Sequence, residues 1–392
     1  MENRYSILAI SDIHFGCPRV DPNLLSDRIR KYVFPHIPEC KILFICGDFF
    51  DNVVTLNAKA AFVSIQLIND LRACCQQSGC DLRVLRGTYT HDRDQPRHFV
   101  NGMDPSDGSV KVFDTISFEH HEATGLNIIY IPDNHGSADI YEDIHKLLKS
   151  HNVEYADLLI HHGYFKHMLP EALLSKGLPH GCLEEEKISK YVKGIVLNGH
   201  VHVTSVYNGV ISIGSFDRLA HGEEGPKGFY KIDVEEGGMH LITGEKCDKI
   251  FSAKFIENKD ANKFITFNLL PYSTSEDAFK AFVEKLDKVI PTLKKEELLR
   301  ARIITDDSAL IEECAEYTKQ KWSNVRIDRG VVPKREQIID NVATDLSELP
   351  TITDDNLKDL LMPILKKYNP LIDEEKVEKI LAEAGCKPTK NL

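Results

Sequence analysis

Five short apolar stretches between Tyr5 and Leu197 are each followed closely by aspartate or histidine. Their pattern predicts buried strands at Tyr5–Ile10, Ile42–Cys46, Leu82–Leu85, Asp157–Ile160 and Ile195–Leu197. The polar motifs that follow them are Asp12-Ile13-His14, Gly47-Asp48, His91-Asp92, His161-His162-Gly163 and Gly199-His200-Val201-His202. Because open α/β sheets place their ligands at the carboxyl edge of the strands, we expect these motifs to converge on one crevice.

The converging side chains are carboxylates and imidazoles, with no thiol among them. This donor set is typical of sites for hard or borderline divalent ions. There are more candidate ligands than one ion needs, which predicts two ions with a phosphate ester bridging them. Any single motif of this kind occurs often by chance, so the order of the motifs and their placement after strands carry the signal.

Length and charge limit the classes of protein that remain. A chain of 392 residues is expected to form two or three domains. The net charge of −12 argues against a protein that coats nucleic acid generally, but a local basic groove stays possible. Four arginines flank the His91-Asp92 motif, namely Arg83, Arg86, Arg93 and Arg97. Each alone could be a solvated loop charge, but together they favour contact with nucleic acid.

Nothing in the composition indicates a membrane or an oxidising compartment. No apolar run approaches the ~20 residues that a spanning helix needs. The N-terminus leads straight into a strand, so we expect no signal peptide. The ten cysteines include no C-x-x-C pair, which indicates reduced, mostly structural thiols. A cytoplasmic protein without a membrane partner is the resulting expectation.

The chain divides into three predicted segments, 1–256, 262–332 and 345–388. The first alternates strands and helices, with its clearest helix at Asn57–Gln77 ended by Gly79 and a hairpin of Gly228–Val234 and Met239–Thr243. The second is a small α+β unit, with strands at Phe264–Leu270, Ala301–Thr305 and Val325–Arg329 and helices at Ser275–Val289 and Ser308–Gln320. The third has two amphipathic helices that either pack on the protein or dock a partner.

These motifs resemble those of the calcineurin-like metallophosphoesterases, and within them the SbcD-type nuclease subunits, relatives of the meiotic-recombination nuclease in bacteria and phages. The matching segments are Ser11–Gly16, Gly47–Asp51, Gly199–His202 and Gly214–Arg218. The resemblance implies an α/β sandwich of two packed mixed sheets flanked by helices, a small α+β capping domain and a C-terminal helical tail.

The resemblance also implies a division of the metal ligands. Asp12, His14 and His202 would hold one ion, His161 and His200 the other, and Asp48 would bridge them. His161 is preferred to His162 as the first residue past the predicted strand, although strand alternation leaves both open. Oxygen and imidazole ligands suit Mn²⁺, with Mg²⁺, Fe²⁺ or Zn²⁺ as alternatives.

The loop that carries His91 departs from the family pattern. The family has Gly-Asn-His-Asp, whereas this chain reads Gly87-Thr88-Tyr89-Thr90-His91-Asp92, with Thr90 in place of the asparagine ligand. In the implied mechanism His91 protonates the leaving oxygen and Asp92 orients it. All charged and imidazole ligands survive, so we expect an active site.

The implied function is a metal-dependent DNA nuclease, acting as an exonuclease on duplex ends and as an endonuclease on single strands. Arg218 and Arg93 would contact the substrate. The implied partners are DNA, a second copy of the chain and an SbcC-type coiled-coil ATPase docked by 345–388, in the host cytoplasm if the gene belongs to a phage. Two alternatives are a phosphoesterase for small phosphodiesters or phosphoproteins, and a non-catalytic scaffold that binds DNA ends or the ATPase through a degenerate site.

Overall fold

A computed structural model describes most of the chain up to residue 330. The described residues are 4–330 apart from 56–57, 105–106, 134, 171–173, 175–176, 180, 240–245, 270–273, 294–297, 306 and 322–324, together with Met362 and Val377. The predicted tail, 345–388, lies outside the described residues except for Met362 and Val377. Two compact units divide the chain, 1–263 and 264–392.

The first unit contains twelve described strands and four described α-helices. The strands are β1 (Arg4–Ile10), β2 (Cys40–Cys46), β3 (Asp81–Leu85), β4 (Val110–Phe113), β5 (Ser117–His121), β6 (Leu126–Ile131), β7 (Ala156–His162), β8 (Val192–Gly199), β9 (Ser205–Tyr207), β10 (Val210–Ser212), β11 (Gly228–Met239) and β12 (Lys246–Glu257). The helices are α1 (Pro22–Tyr32), α2 (Lys59–Ser78), α3 (Ile140–Ser150) and α4 (Glu185–Ile188).

These strands form two mixed sheets. One has the order β12-β11-β1-β2-β3-β4, in which β1 to β4 are parallel and β11 is antiparallel to both of its neighbours. The other has the order β5-β6-β7-β8-β10-β9, with β6, β7, β8 and β10 parallel and an antiparallel strand at each edge. The predicted parallel strands are therefore present, divided between two sheets.

Successive side chains of a strand point to opposite faces of the sheet, and in these strands both faces are apolar. Each sheet therefore buries one face against the other sheet and the opposite face against helices. Ile7 and Phe44 from one sheet join Leu158 and Leu197 from the other in a single buried cluster. On the outer faces, α1 and α2 cover the first sheet and α3 covers the second, each through its own apolar cluster. The unit is thus an α/β sandwich of two mixed sheets flanked by helices.

The predicted position of the hairpin turn was wrong, and residues 240–243 of the predicted second strand lie outside the described residues. The predicted turn, Glu235–Gly238, lies inside β11, and Met239 ends that strand instead of opening the next. Backbone pairing with β12 continues through the supposed turn, as Glu236 with Lys249 and Gly238 with Cys247. Pairing with β12 therefore keeps Glu235–Gly238 in the strand, although this Glu-Gly stretch favours a turn.

The second unit contains a three-stranded sheet. Its elements are β13 (Phe264–Leu269), α5 (Ser275–Val289), β14 (Leu298–Ile304), α6 (Ser308–Lys321) and β15 (Val325–Gly330). The strands are parallel in the order β13-β14-β15, and Phe282 and Leu286 of α5 are buried with the sheet residues Leu299 and Ile303. The predicted elements are present, but their alternation gives a parallel α/β unit where α+β was expected.

Among the described residues, no helix is both long enough and apolar enough to cross a membrane.

Candidate metal centre

Parallel strands of both sheets end at one crevice, and their loops carry the candidate ligands. Asp12 follows β1, Asp48 follows β2, Thr88 follows β3, and His162 and His200 lie at the ends of β7 and β8. Close approach of the two sheets here requires glycine: a Cβ at Gly199 would lie 2.3 Å from the Cys46 carbonyl oxygen and 2.7 Å from His162 Nδ1.

The first donor group consists of Asp12, His14 and His202. His14 Nε2 lies 3.2 Å from His202 Nε2, and Asp12 Oδ1 lies 3.9 Å from the former and 3.7 Å from the latter. Both carboxylate oxygens of Asp12 accept the backbone N–H of His200, at 3.1 and 3.0 Å. Three donor atoms therefore converge in a mostly buried place, as a metal site requires.

The second donor group consists of Asp48, His162 and His200. Asp48 Oδ2 lies 3.3 Å from His162 Nε2. The same Asp48 oxygen lies 3.8 Å from His14 Nε2 of the first group. Asp48 is thus the residue that connects the two groups, as expected for a bridging carboxylate.

Thr88, not Thr90, provides the hydroxyl of the second group. Its Oγ1 lies 3.2 Å from Asp48 Oδ2, 3.4 Å from His162 Nε2 and 3.3 Å from His200 Nδ1. Thr90 is exposed, because Tyr89 and Thr90 form a turn in which the N–H of His91 bonds to the Thr88 carbonyl. The asparagine position was therefore assigned wrongly to Thr90, and Thr88, two residues earlier, lies there instead.

His162, not His161, joins the second donor group. Strand β7 extends to His162, and Leu158 and Ile160 face the cluster between the sheets, so alternation places His162 on that face. His161 points the other way, where its Nδ1 lies 2.6 Å from Asn198 Oδ1. Burial there lowers the pKa of His161 to about 3. The preference for His161 as a ligand is corrected accordingly.

Asp92 organises the loops of the site instead of orienting His91. Its buried carboxylate accepts the N–H groups of Gly87 at 2.7 Å, Phe50 at 2.9 Å and Asp48 at 3.1 Å. Burial, together with the charge of Asp48, raises the pKa of Asp92 to about 6. The predicted contact between Asp92 and His91 is replaced by three bonds to backbone.

His91 is held by Asp51, which the sequence reasoning missed. The Nδ1 of His91 bonds to the Asp51 carbonyl oxygen. The His91 ring packs edge-on against His14, with centroids 4.9 Å apart. His14, Asp51 and His91 thus form a third group of converging donor atoms, which adjoins the first group through their shared His14.

Neither predicted substrate arginine belongs to a donor group. The Arg218 guanidinium donates to the carbonyl oxygens of Asn262, Glu224 and Gly225, at 3.2, 3.3 and 3.0 Å. These bonds tie neighbouring loops together, and the assignment of Arg218 as a substrate contact stays a prediction. Arg93 is exposed and has a φ of 46°. Of the flanking arginines, Arg83 is buried and donates to Glu119, so it lies outside any basic groove.

Four of the donor residues have left-handed backbone conformations. The φ angles are 50° at Asp12, 54° at His14, 48° at Asp48 and 81° at His200. Such conformations cost about 1–3 kcal/mol each for residues other than glycine and cluster at functional sites. Hydrogen bonds between the loops that follow β1 and β2 hold these conformations in place. Asp12 N–H donates to the Gly47 carbonyl oxygen at 3.1 Å, and His14 N–H donates to the Asp48 carbonyl oxygen at 3.0 Å.

The donor set fits divalent cations. Each ligating histidine in a metal site usually has its other nitrogen held by an acceptor. His162 Nδ1 lies 2.8 Å from the Cys46 carbonyl oxygen, and His202 Nδ1 lies 2.9 Å from Glu223. Burial would lower the pKa of His162, but Asp48, Asp12 and the Cys46 carbonyl oxygen together outweigh it and raise the pKa to about 10. The carboxylates of Asp48 and Asp12 thus stabilise positive charge at this place, which a bound cation would supply.

Comparison with known proteins adds little to this geometry. No protein-family model matches the chain, and no curated protein matches it. Among the solved structures that match, one crystal structure has 13% identity and a TM-score of 0.33, and the match covers 64% of this chain and 99% of that one. A likeness of that size carries no argument about fold or function.

Proposed function

We propose that this chain is a metal-dependent phosphodiesterase of the calcineurin-like metallophosphoesterase type that cleaves DNA, as SbcD-type subunits do. One observation carries the proposal. Two donor groups of aspartate and histidine adjoin at the carboxyl edge of two packed mixed sheets, with Asp48 Oδ2 only 3.8 Å from His14 Nε2 of the neighbouring group.

The donors divide between two ions. Asp12, His14 and His202 would hold one, and His162 and His200 the other, with Asp48 shared and the Thr88 hydroxyl beside it. Oxygen and imidazole donors favour Mn²⁺, while Mg²⁺, Fe²⁺ and Zn²⁺ are alternatives. Bound ions of this kind supply an activated water and neutralise the charge of the phosphate.

His91 is the proposed proton donor. The Asp51 carbonyl oxygen can only accept a hydrogen bond, so His91 Nδ1 carries a hydrogen. The atom that exchanges a proton with the leaving sugar oxygen is therefore Nε2. Asp51 takes the orienting role that was expected of Asp92.

Nucleic acid as the substrate is supported by the motifs and by the basic residues on the loop of His91. Arg86, Arg93 and Arg97 all lie within six residues of His91, and the last two are exposed. Phosphate contacts of exposed arginines position nucleic acids without reading sequence. Exonuclease action on duplex ends, endonuclease action on single strands, a homodimer, docking of an SbcC-type ATPase by 345–388 and a cytoplasmic location belong to the same proposal.

A direct test compares substrates under one set of conditions. The purified chain with Mn²⁺ is offered a linear duplex, a single strand, a nitrophenyl phosphodiester and a phosphopeptide. We expect hydrolysis of both DNAs, and its loss with EDTA. Asp48→Asn should lower the rate by at least about 10²-fold, since it removes the shared charge. Asp94→Asn, a change at an exposed aspartate nearby, is the matched control and should retain the wild-type rate.

The substrates separate the alternatives. Cleavage of the phosphodiester or phosphopeptide without DNA would favour a phosphoesterase for small or protein substrates. If no phosphodiester is hydrolysed, with the chain alone or with a coiled-coil ATPase present, the enzymatic proposal is contradicted. The non-catalytic scaffold that binds DNA ends or the ATPase would then be favoured.

A further inference from the structure

Glu223 lies behind His202, and no sequence motif connects the two residues. One carboxylate oxygen of Glu223 lies 2.9 Å from His202 Nδ1. The other lies 3.0 Å from Lys227 Nζ and accepts the Leu219 N–H at 3.1 Å. The carboxylate is thus held from one side while it bonds the imidazole on the other.

Lys227 holds the same histidine through its backbone. Only 2% of Lys227 is exposed. Its ammonium group donates to the carbonyl oxygen of His202 at 2.8 Å and to Ser215 Oγ at 2.8 Å. A buried ammonium with three oxygen partners is well compensated and rigid. Glu223 and Lys227 therefore fix both the ring and the main chain of His202.

We propose that Glu223, held by Lys227, is a positioning residue that selects the tautomer and ring orientation of His202. A carboxylate only accepts hydrogen bonds, so the hydrogen of the neutral imidazole lies on Nδ1. The lone pair then belongs to Nε2, which lies 3.2 Å from His14 Nε2 and 3.7 Å from Asp12 Oδ1. The inference rests on the proposed metal centre, because that lone pair is the one that would bind an ion.

His202 needs this support more than the other histidine of its group. It lies in a loop after β8, and 29% of its side chain is exposed, against 3% for His14. A partly exposed loop side chain keeps rotamer freedom that must be lost when it binds an ion. The bond to Glu223 removes that freedom in advance.

The test uses the full chain with Glu223→Ala, Glu223→Gln and the matched control Glu224→Ala, a change at the exposed neighbouring glutamate. Calorimetric titration measures Mn²⁺ affinity, and long-range ¹⁵N–¹H spectra of the metal-free protein report the His202 tautomer. We expect Glu223→Ala to weaken one class of Mn²⁺ site about 10–100-fold and to lose the single Nδ1–H tautomer. Glu223→Gln retains an acceptor oxygen and should lose less, while Glu224→Ala should match the wild type.

The melting temperature in EDTA separates positioning from general stabilisation. A purely structural role would lower that temperature yet leave the Mn²⁺ affinity and tautomer of the folded protein unchanged, and this result would overturn the inference. If Glu223→Ala does not fold, the isosteric Glu223→Gln decides through the same two readouts. If the wild type binds no Mn²⁺, the proposed function fails, and the tautomer spectra alone decide the role of Glu223.

Discussion

The side chains of His161 and His162 project to opposite faces of β7, so only one of them can join the donor groups. His162 lies 3.3 Å from Asp48, whereas His161 bonds Asn198 and packs edge-on against Phe165. The two neighbours therefore have separable roles, one in the site and one in the packing behind it.

Alanine at each position should separate these roles. His162→Ala removes a donor of the second group, so we expect weaker Mn²⁺ binding and at least about 10²-fold slower DNA hydrolysis. His161→Ala leaves a cavity and removes the partner of Asn198 Oδ1, so the free energy of unfolding should fall by about 2–4 kcal/mol with Mn²⁺ affinity retained. Denaturant unfolding and calorimetry measure the two effects. The reverse pattern would restore His161 as the ligand.

The residues that form the donor groups were largely predictable, and their supporting contacts were not. Asp12, His14, Asp48, His200 and His202 follow strands whose apolar runs are plain in the sequence. Thr88 was missed because a two-residue turn separates it from His91, which local spacing does not show. Glu223 lies 21 residues after His202, and only tertiary folding brings their side chains together.

At the scale of elements, a buried ion pair joins the two sheets near their edges. Arg83 of β3 donates to both oxygens of Glu119 of β5, at 3.0 and 2.9 Å. Lys111 of β4 donates to Glu119 at 2.7 Å, and the Tyr130 hydroxyl of β6 donates to Glu119 at 2.8 Å. Four strands from two different sheets therefore meet at one carboxylate. Such a pair is weak evidence of net stability, but removing one partner leaves the other charge poorly compensated.

Glu119→Gln should lower the free energy of unfolding by about 3 kcal/mol at neutral pH. The control is Glu122→Gln, a change at an exposed glutamate of the next turn, with an expected effect within about 0.5 kcal/mol. Denaturant unfolding of both variants measures the difference. Equal stability of the Glu119 variant and the wild type would show that the pair contributes nothing.

The same pair predicts a pH dependence. Burial would raise the pKa of Glu119, but the bonds from Arg83, Lys111 and Tyr130 lower it below its ordinary value of 4.5. A lowered folded pKa means that the stabilisation is present above the unfolded pKa and is lost as the pH falls through the folded one. The difference in stability between wild type and Glu119→Gln should therefore shrink on acidification below about pH 4.

The elements themselves follow from local pattern more closely than their arrangement does. Apolar runs located β1, β2, β3, β7 and β8, and Gly79, with a φ of 63°, ends α2 as expected. The sequence could not assign these strands to two sheets, because pairing is set by contacts between distant residues. It also placed a turn inside β11, where pairing with β12 outweighs local preference.

At the scale of the whole molecule, the site depends on both sheets at once. The first sheet supplies the loops of Asp12, Asp48 and Thr88, and the second supplies His162 and His200. Neither sheet alone holds the Asp12–His14–His202 group or the Asp48–His162–His200 group, since each of these combines residues from the two sheets. Packing of the sandwich core is therefore a condition for metal binding, and destabilising that core should weaken the site.

Anomalous diffraction from crystals grown with Mn²⁺ tests the central claim most directly. The account predicts two manganese peaks, one contacted by Asp12, His14 and His202 and the other by His162 and His200, with Asp48 between them. Absence of manganese from these two donor groups, at Mn²⁺ concentrations that support hydrolysis, would contradict it.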